Sequence, residues 1–232
     1  MTAAQDIDFP DVFITFPHSI RHFRQSLEIR RKTRIVALGS SSTAGTNDIV
    51  AFPARLEQSL RKANFGCMID VINRGIGGQE SPEELSRFEN DVIAENPSLV
   101  IWQVGTNAAY RPEVYSPDAV EAALRRGLQW LAGLSVEVIV MDLQYTAAIV
   151  TYQNRLDRAE EIQRRIEKVT SAAKVNLFRR WDLMKGWHKT GKIPLSALDD
   201  GHDDRLHLSE AATAKISLIL ARAIMATPAP LA

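Results

Sequence analysis

Four polar stretches of the chain hold residue types able to do covalent chemistry. Gly39-Ser40-Ser41-Ser42-Thr43-Ala44-Gly45-Thr46 is a run of small residues that permits a tight bend and presents backbone N–H groups and hydroxyls at the start of a helix. A nucleoside-triphosphate loop is disfavoured, because five residues rather than four separate its glycines and no Lys follows. Two uses stay open: a flavin-phosphate loop, or a turn carrying a nucleophilic serine. Asp203-Asp204-Arg205-Leu206-His207-Leu208-Ser209 sets a carboxylate three residues ahead of a histidine. Such a carboxylate can accept the imidazole Nδ1 proton and leave Nε2 facing outward as a general base. His202, Asp203, Asp204 and His207 are also metal-donor types, but no second ligand cluster accompanies them.

The other two stretches supply donors. Asn73-Arg74-Gly75-Ile76-Gly77-Gly78-Gln79-Glu80 is glycine-rich enough to approach a ligand with its backbone, and Gly105-Thr106-Asn107 offers a side-chain amide. Alone, each of the four has a plainer reading as a turn, a cap or a surface pair. Together a hydroxyl, an Asp/His pair and two sources of amide hydrogen are what acyl transfer requires. A flavodoxin-like FMN binder would leave Asp204 and His207 idle.

These stretches act together only if the fold gathers them. Five short Val/Ile/Leu-rich runs predict strands: Arg34–Leu38, Cys67–Ile72, Leu99–Val104, Val136–Leu143 and Lys174–Phe178. Continuous apolar runs, rather than alternation, suit a parallel sheet covered on both faces. Helical spacing predicts helices over Ile49–Ala63, Ser81–Ala94, Pro117–Leu131, Asn154–Ala172 and Ser209–Met225. Ser81, Pro82 and Glu84 read as a capping box that starts the second of these, and Ser116-Pro117 marks the start of the third. Alternating strands and helices give a three-layer α/β/α fold, whose sites lie at the carboxyl ends of the strands. All four stretches fall there. Gln144, Tyr145 and the segment from Trp181 to Asp203 are expected to shape the pocket, with Trp187 either an acyl or sugar contact or a core residue.

Composition excludes several classes. Among 232 residues, 28 Lys and Arg balance 28 Asp and Glu, so no net charge favours nucleic acid or anionic membranes. The longest apolar stretches fall far short of the ~20 residues of a membrane-spanning helix. Met1–Pro10 lacks the basic and apolar regions of an export signal. The cytoplasm is therefore the default expectation, with export open if a leader precedes this chain. The single Cys67 forms no internal disulfide. The basic helix within His18–Arg34 reads as the solvated face of a packed helix, giving residues 1–33 as an N-terminal extension and 34–232 as one domain.

The four stretches, in this order, resemble the sequence blocks of the SGNH hydrolases, the GDSL-type esterases and lipases, from about Arg34 to the last helix. The resemblance implies a five-stranded flavodoxin-like α/β/α fold, a nucleophile at Ser41, an acid and base at Asp204 and His207, and an oxyanion hole from Ser41, Gly78 and Asn107. It implies hydrolysis of a small-molecule acyl ester without a cofactor or resident metal. Short acyl groups, including acetylated carbohydrate, are preferred because no long hydrophobic lid segment is visible; the family also contains lysophospholipases and thioesterases. No nucleic acid or membrane insertion is implied, and the oligomeric state stays open. Two positions depart from the family pattern: Ser40 precedes the nucleophile and Ala108 follows Asn107, where the family commonly has Asp. Loop rigidity is what those departures put in question.

Overall fold

The structure, a computed structural model, describes residues 15–29, 32–46 and 48–227. Its sheet is built from β1 (Lys32–Gly39), β2 (Met68–Gly75), β3 (Leu99–Gln103), β4 (Glu137–Met141) and β5 (Asn176–Phe178), all parallel, in the order β2-β1-β3-β4-β5. Registers Gly39↔Gly75, Gln103↔Met141 and Met141↔Phe178 bring the carboxyl ends to one edge. Strand order reverses between β1 and β3, the switch point at which open α/β sheets place their sites. Ile35 to Leu38, Leu99 to Trp102 and Ile139 to Met141 are fully buried, because helices cover both faces.

The helices are α1 (Arg21–Ile29), α2 (Ser41–Ala44), α3 (Phe52–Ala63), α4 (Ser81–Ser86), α5 (Phe88–Asp91), α6 (Thr106–Tyr110), α7 (Pro117–Ala132), α8 (Ala147–Val150), α9 (Gln153–Ala173), α10 (Arg180–Lys189) and α11 (Glu210–Ala226). The β1–α3–β2 and β3–α7–β4 crossovers run in opposite directions, so right-handed connection puts α3 and α7 on opposite faces. There α3 packs on α11, and α7 packs on α4 and α9. The expected three-layer α/β/α sandwich is the observed architecture. Among the described residues no helix is long and apolar enough to cross a membrane.

Boundaries differ from the sequence expectation where side chains decide them. Helix α3 begins at Phe52 rather than Ile49, because Pro53 is tolerated only in a first turn. The helix expected over Ser81–Ala94 breaks into α4, α5 and a 3₁₀ turn. The interruption is Arg87, whose guanidinium reaches Gln79 Oε1 at 2.8 Å, the Gly39 carbonyl at 3.2 Å and the Asp91 carboxylate. The cap of α4 is Glu80, with Glu83 completing the box. Ser81 is therefore not the cap, and Glu84 is drawn inward, where its carboxyl accepts the Trp102 indole N–H at 2.7 Å. Strand β2 extends to Gly75, since Asn73, Arg74 and Gly75 pair with Ala37, Leu38 and Gly39.

Of the basic segment, Arg30 and Arg31 lie outside the described residues. Helix α1 is anchored through its first turn. The Glu137 carboxylate accepts the N–H groups of His22 and Phe23 at 2.7 and 2.9 Å, satisfying donors that a helix start leaves open. Arg24 donates to the Met225 and Thr227 carbonyls at 2.6 and 2.9 Å, at the end of α11.

Gly75 is required by close approach. A Cβ there would lie 2.1 Å from the Ala44 amide nitrogen, so α2 rests directly on β2. Gly75→Ala must push α2 outward, and overpacking of this kind costs about 1–3 kcal/mol. Urea unfolding should show a lowered midpoint with an unchanged slope; an unchanged midpoint would mean that the α2–β2 contact is soft.

Candidate active site

Ser41 is the first residue of α2, immediately beyond the end of β1. At that position backbone N–H groups lack intrahelical acceptors. The Ser41 Oγ lies 3.1 Å from His207 Nε2, and His207 Nδ1 lies 3.3 Å from Asp204 Oδ2. A carboxylate at Nδ1 favours the tautomer protonated there, which leaves Nε2 to accept the serine proton. The flavin-phosphate alternative has no role for that imidazole.

The turn around Ser41 is held from both flanks. Gln103 Oε1, at the end of β3, lies 3.1 Å from the Ser40 N–H and 2.9 Å from both the Ser40 and Ser42 hydroxyls. Fully buried Arg180, just beyond β5, donates from Nε to the Asp142 carbonyl at 3.1 Å, from Nη1 to Ser42 Oγ at 3.2 Å and from Nη2 to Thr106 Oγ1 at 3.4 Å. One guanidinium thus connects the ends of β4 and β5 to the serine turn and to the turn that carries Asn107.

The two predicted amide sources are fastened to each other. Asn107 Nδ2 donates to the Gln79 carbonyl at 2.7 Å. The Gly78 carbonyl accepts Tyr115 OH at 3.1 Å and the Arg111 guanidinium, and Gly78 takes φ +79°, where a side chain would be strained. Buried Glu80 completes the clamp. Its carboxylate accepts the N–H groups of Ser81 at 2.9 Å, Gly105 at 2.8 Å and Ala108 at 3.1 Å, so one anion caps α4 and, across the gap, α6. Burial pushes the Glu80 carboxyl up, and those three N–H bonds oppose the rise. A Cβ built on Gly77 would lie 3.9 Å from Ser41 Cβ, which brings this loop against the serine. Asn107 joins the group through Gln79.

The Asp204–His207 loop is fixed by charge as well. Buried Asp199 takes the Arg205 guanidinium through both oxygens, at 2.6 and 3.1 Å. Arg205 adopts a left-handed backbone at φ +49° between Asp204 and His207. Gln144 Nε2 donates to the Leu206 carbonyl at 2.5 Å, and the His207 carbonyl accepts the Asp200 N–H at 2.9 Å. Gln144 and Tyr145, expected to shape a pocket, are buried instead: Gln144 holds this loop, and Tyr145 stacks edge-on against Trp181 at 5.0 Å. Trp187 is a core residue.

Sequence reasoning missed Glu80, Gln103, Arg180 and Asp199. Three of them carried a weak signal, and Asp199 carried none. Glu80 ends the glycine-rich stretch, Gln103 is the one polar residue closing an apolar strand, and Arg180 follows the end of β5.

This fold and this arrangement define the class of the SGNH/GDSL-type hydrolases. The chain belongs to the non-GDSL lipase-like family, whose profile matches residues 6–227, so the match begins well before Arg34. An uncharacterized lipoprotein, YqeF of Bacillus subtilis, is 36% identical over 78 residues. That match spans 32% of this chain and 32% of the relative. Axe2, an acetylxylan esterase from Geobacillus stearothermophilus, superposes with a TM-score of 0.68 at 23% identity, covering 83% of this chain and 92% of its own. A lipase/acylhydrolase from Enterococcus faecalis superposes with a TM-score of 0.66 at 20% identity, covering 82% and 94%.

Beneath the site, burial pushes the Asp142 carboxyl from 3.8 up to about 8 and pulls Arg180 down to about 10. Asp142 Oδ1 accepts the Trp181 N–H at 2.9 Å, while Oδ2 is buried without a partner. Between pH about 4 and 8 the folded state keeps a proton on Asp142 that the unfolded chain has released. Stability from this group is thus complete at low pH and declines as pH rises through that window. Asp142→Asn, which retains the Trp181 contact, should melt progressively higher than wild type as pH rises from about 4 to 8. A melting difference independent of pH would show that Asp142 ionises normally.

Proposed function

We propose that this protein is a serine ester hydrolase that works through an acyl-Ser41 intermediate and prefers short acyl groups. The observation that carries the reading is the Ser41–His207–Asp204 relay, at 3.1 and 3.3 Å, beside a cavity of about 20 Å³ lined by Ser41, His207, Thr46, Ile49 and Leu208. About 10–15 Å³ admits one water-sized group, so the space beside Ser41 suits a small acyl group. That size favours acetyl esters over the lysophospholipid and long-chain thioester substrates of other family members. The acetylxylan esterase activity of a structural neighbour is consistent with this preference.

In this mechanism His207 Nε2 takes the Ser41 proton as Oγ adds to the ester carbonyl, and Asp204 stabilises the imidazolium. The carbonyl oxygen, now negative, is held by the Ser41 and Gly78 N–H groups and the Asn107 amide. Collapse expels the alcohol, which receives its proton from His207 and leaves acyl-Ser41. Water then adds to the acyl carbon, giving a proton to His207, and the acid departs as Ser41 is reprotonated.

Kinetics on p-nitrophenyl esters of increasing acyl length test the reading. Acetate should be the best substrate, with kcat/KM falling from butyrate onward. A deep acyl channel would instead give a gain approaching ~0.8 kcal/mol per added methylene, and that result would refute the short-chain assignment. Asn107→Ala should lower kcat ~10²- to 10³-fold, as loss of one oxyanion donor does, while far-ultraviolet circular dichroism stays native. Near-normal turnover by this variant would remove Asn107 from the oxyanion hole.

A further inference from the structure

The turn that carries Gly78 can present either face of one peptide. The Gln79 N–H donates to the Ile76 carbonyl at 3.4 Å, which closes a β-turn over residues 76–79, and of its two central glycines only Gly78 has a positive φ, +79°. That combination is the type II signature. In a type II turn the central carbonyl, here that of Gly77, lies on the side where a side chain at the third position would project. The N–H of the same peptide, here that of Gly78, points the opposite way. Turning this peptide over converts the turn to type I and reverses both directions, and two successive glycines leave the backbone free to do so.

Arg111 stands on one side of that turn. A Cβ built on Gly78 would lie 3.4 Å from its Nη2, so the guanidinium faces the side toward which the Gly77 carbonyl is directed. Nη2 also donates to the Gly78 carbonyl, and Cζ lies 5.5 Å from the Tyr115 ring centre. Among the described residues this guanidinium has no carboxylate partner. The Arg111 backbone is tied to the other candidate oxyanion donor, its N–H donating to the Asn107 carbonyl at 2.8 Å. The N–H groups of Gly77 and Gly78 have no acceptor among the described residues, and the loop that bears them lies against Ser41.

We propose that Arg111 is a positioning residue, whose unneutralised charge holds the Gly77–Gly78 peptide with its carbonyl toward the guanidinium and the Gly78 N–H away from it, free to receive an oxyanion. The inference rests on the ester-hydrolase reading and deepens it. A cation attracts the carbonyl end of a peptide dipole and repels the N–H end. The inverted peptide would set its N–H against the guanidinium and its carbonyl oxygen against the negative charge that develops on the substrate. That charge exists only in the transition state and the tetrahedral intermediate, so loss of the orientation falls on kcat rather than on KM.

The test measures kcat and KM for p-nitrophenyl acetate in wild type, Arg111→Lys and Arg111→Gln. Each kcat is referred to the fraction of Ser41 that excess fluorophosphonate labels, so that misfolded protein drops out. Lysine keeps the charge, whereas glutamine keeps an N–H donor without it. The expected result is a fall in kcat of about tenfold in Arg111→Gln at unchanged KM, equivalent to about 1.4 kcal/mol, and a kcat within about threefold of wild type in Arg111→Lys. A trifluoromethyl ketone, whose adduct with Ser41 carries an oxyanion, should bind Arg111→Gln about tenfold more weakly, in step with kcat. Wild-type turnover by Arg111→Gln, or equal losses in the two variants, would overturn the proposal while leaving the hydrolase reading intact. A wild type that neither takes the fluorophosphonate nor cleaves the ester would instead bring down the hydrolase reading, and this inference with it.

Discussion

A hydroxyl and an imidazole separated by 166 positions in the chain stand 3.1 Å apart, and the rest of the site is arranged around keeping them there. Neither residue lies in a strand. Ser41 begins a one-turn helix, and His207 sits in an irregular loop before α11. Such segments are the parts of a fold most free to drift. A proton transfer of this kind depends on a spacing held to a fraction of an ångström, so something other than regular secondary structure must hold it.

What holds it is a set of buried polar groups, each bridging two segments. Gln103 and Arg180 flank the serine turn, Glu80 joins the Gly78 loop to the Asn107 helix, and Asp199 grips Arg205 between Asp204 and His207. Burying charge is expensive unless its hydrogen-bonding capacity is met. Glu80 has three N–H donors that oppose the rise burial imposes on its carboxyl, and Asp199 has a two-pronged guanidinium. Asp142 leaves Oδ2 without a partner, and its carboxyl is pushed up to about 8. The two family departures, Ser40 and Ala108, sit inside this network: Gln103 receives Ser40, and Glu80 receives the Ala108 N–H. Rigidity at those positions is supplied by residues elsewhere in the chain.

This division explains what could be read in the sequence. The strands were legible because both faces of the sheet are buried, which leaves apolar runs such as Leu99-Val100-Ile101-Trp102 with no competing interpretation. Ser41, Asp204 and His207 were legible because their types follow strand ends or precede a helix at spacings that chemistry recognises. The clamps were not, because a carboxylate at position 80 reaching amides at 105 and 108 has no local periodicity. The same blindness moved the α4 cap: Ser81 fits the local pattern, but Glu80 serves amides from two segments at once. Arg87 likewise broke a helix that spacing alone would continue, through contacts to Gln79 and Gly39. In the segment after β4, Ala147 and Ala148 line a cavity while Gln144 and Tyr145 are buried; a residue after a strand reads the same whether it faces solvent or anchors a neighbouring loop.

The central claim is that the Ser41 oxygen, once relieved of its proton by His207, becomes covalently attached to the acyl group. Rapid acid quench of the enzyme turning over an isotopically labelled acetyl ester, followed by peptide mapping, reads that bond directly. The account predicts label on Ser41 itself, at a level that rises when His207→Ala is compared with wild type only if deacylation is slowed more than acylation, and no label in Ser41→Ala. Label confined to Ser40 or Ser42, or ester turnover sustained by Ser41→Ala, would contradict it.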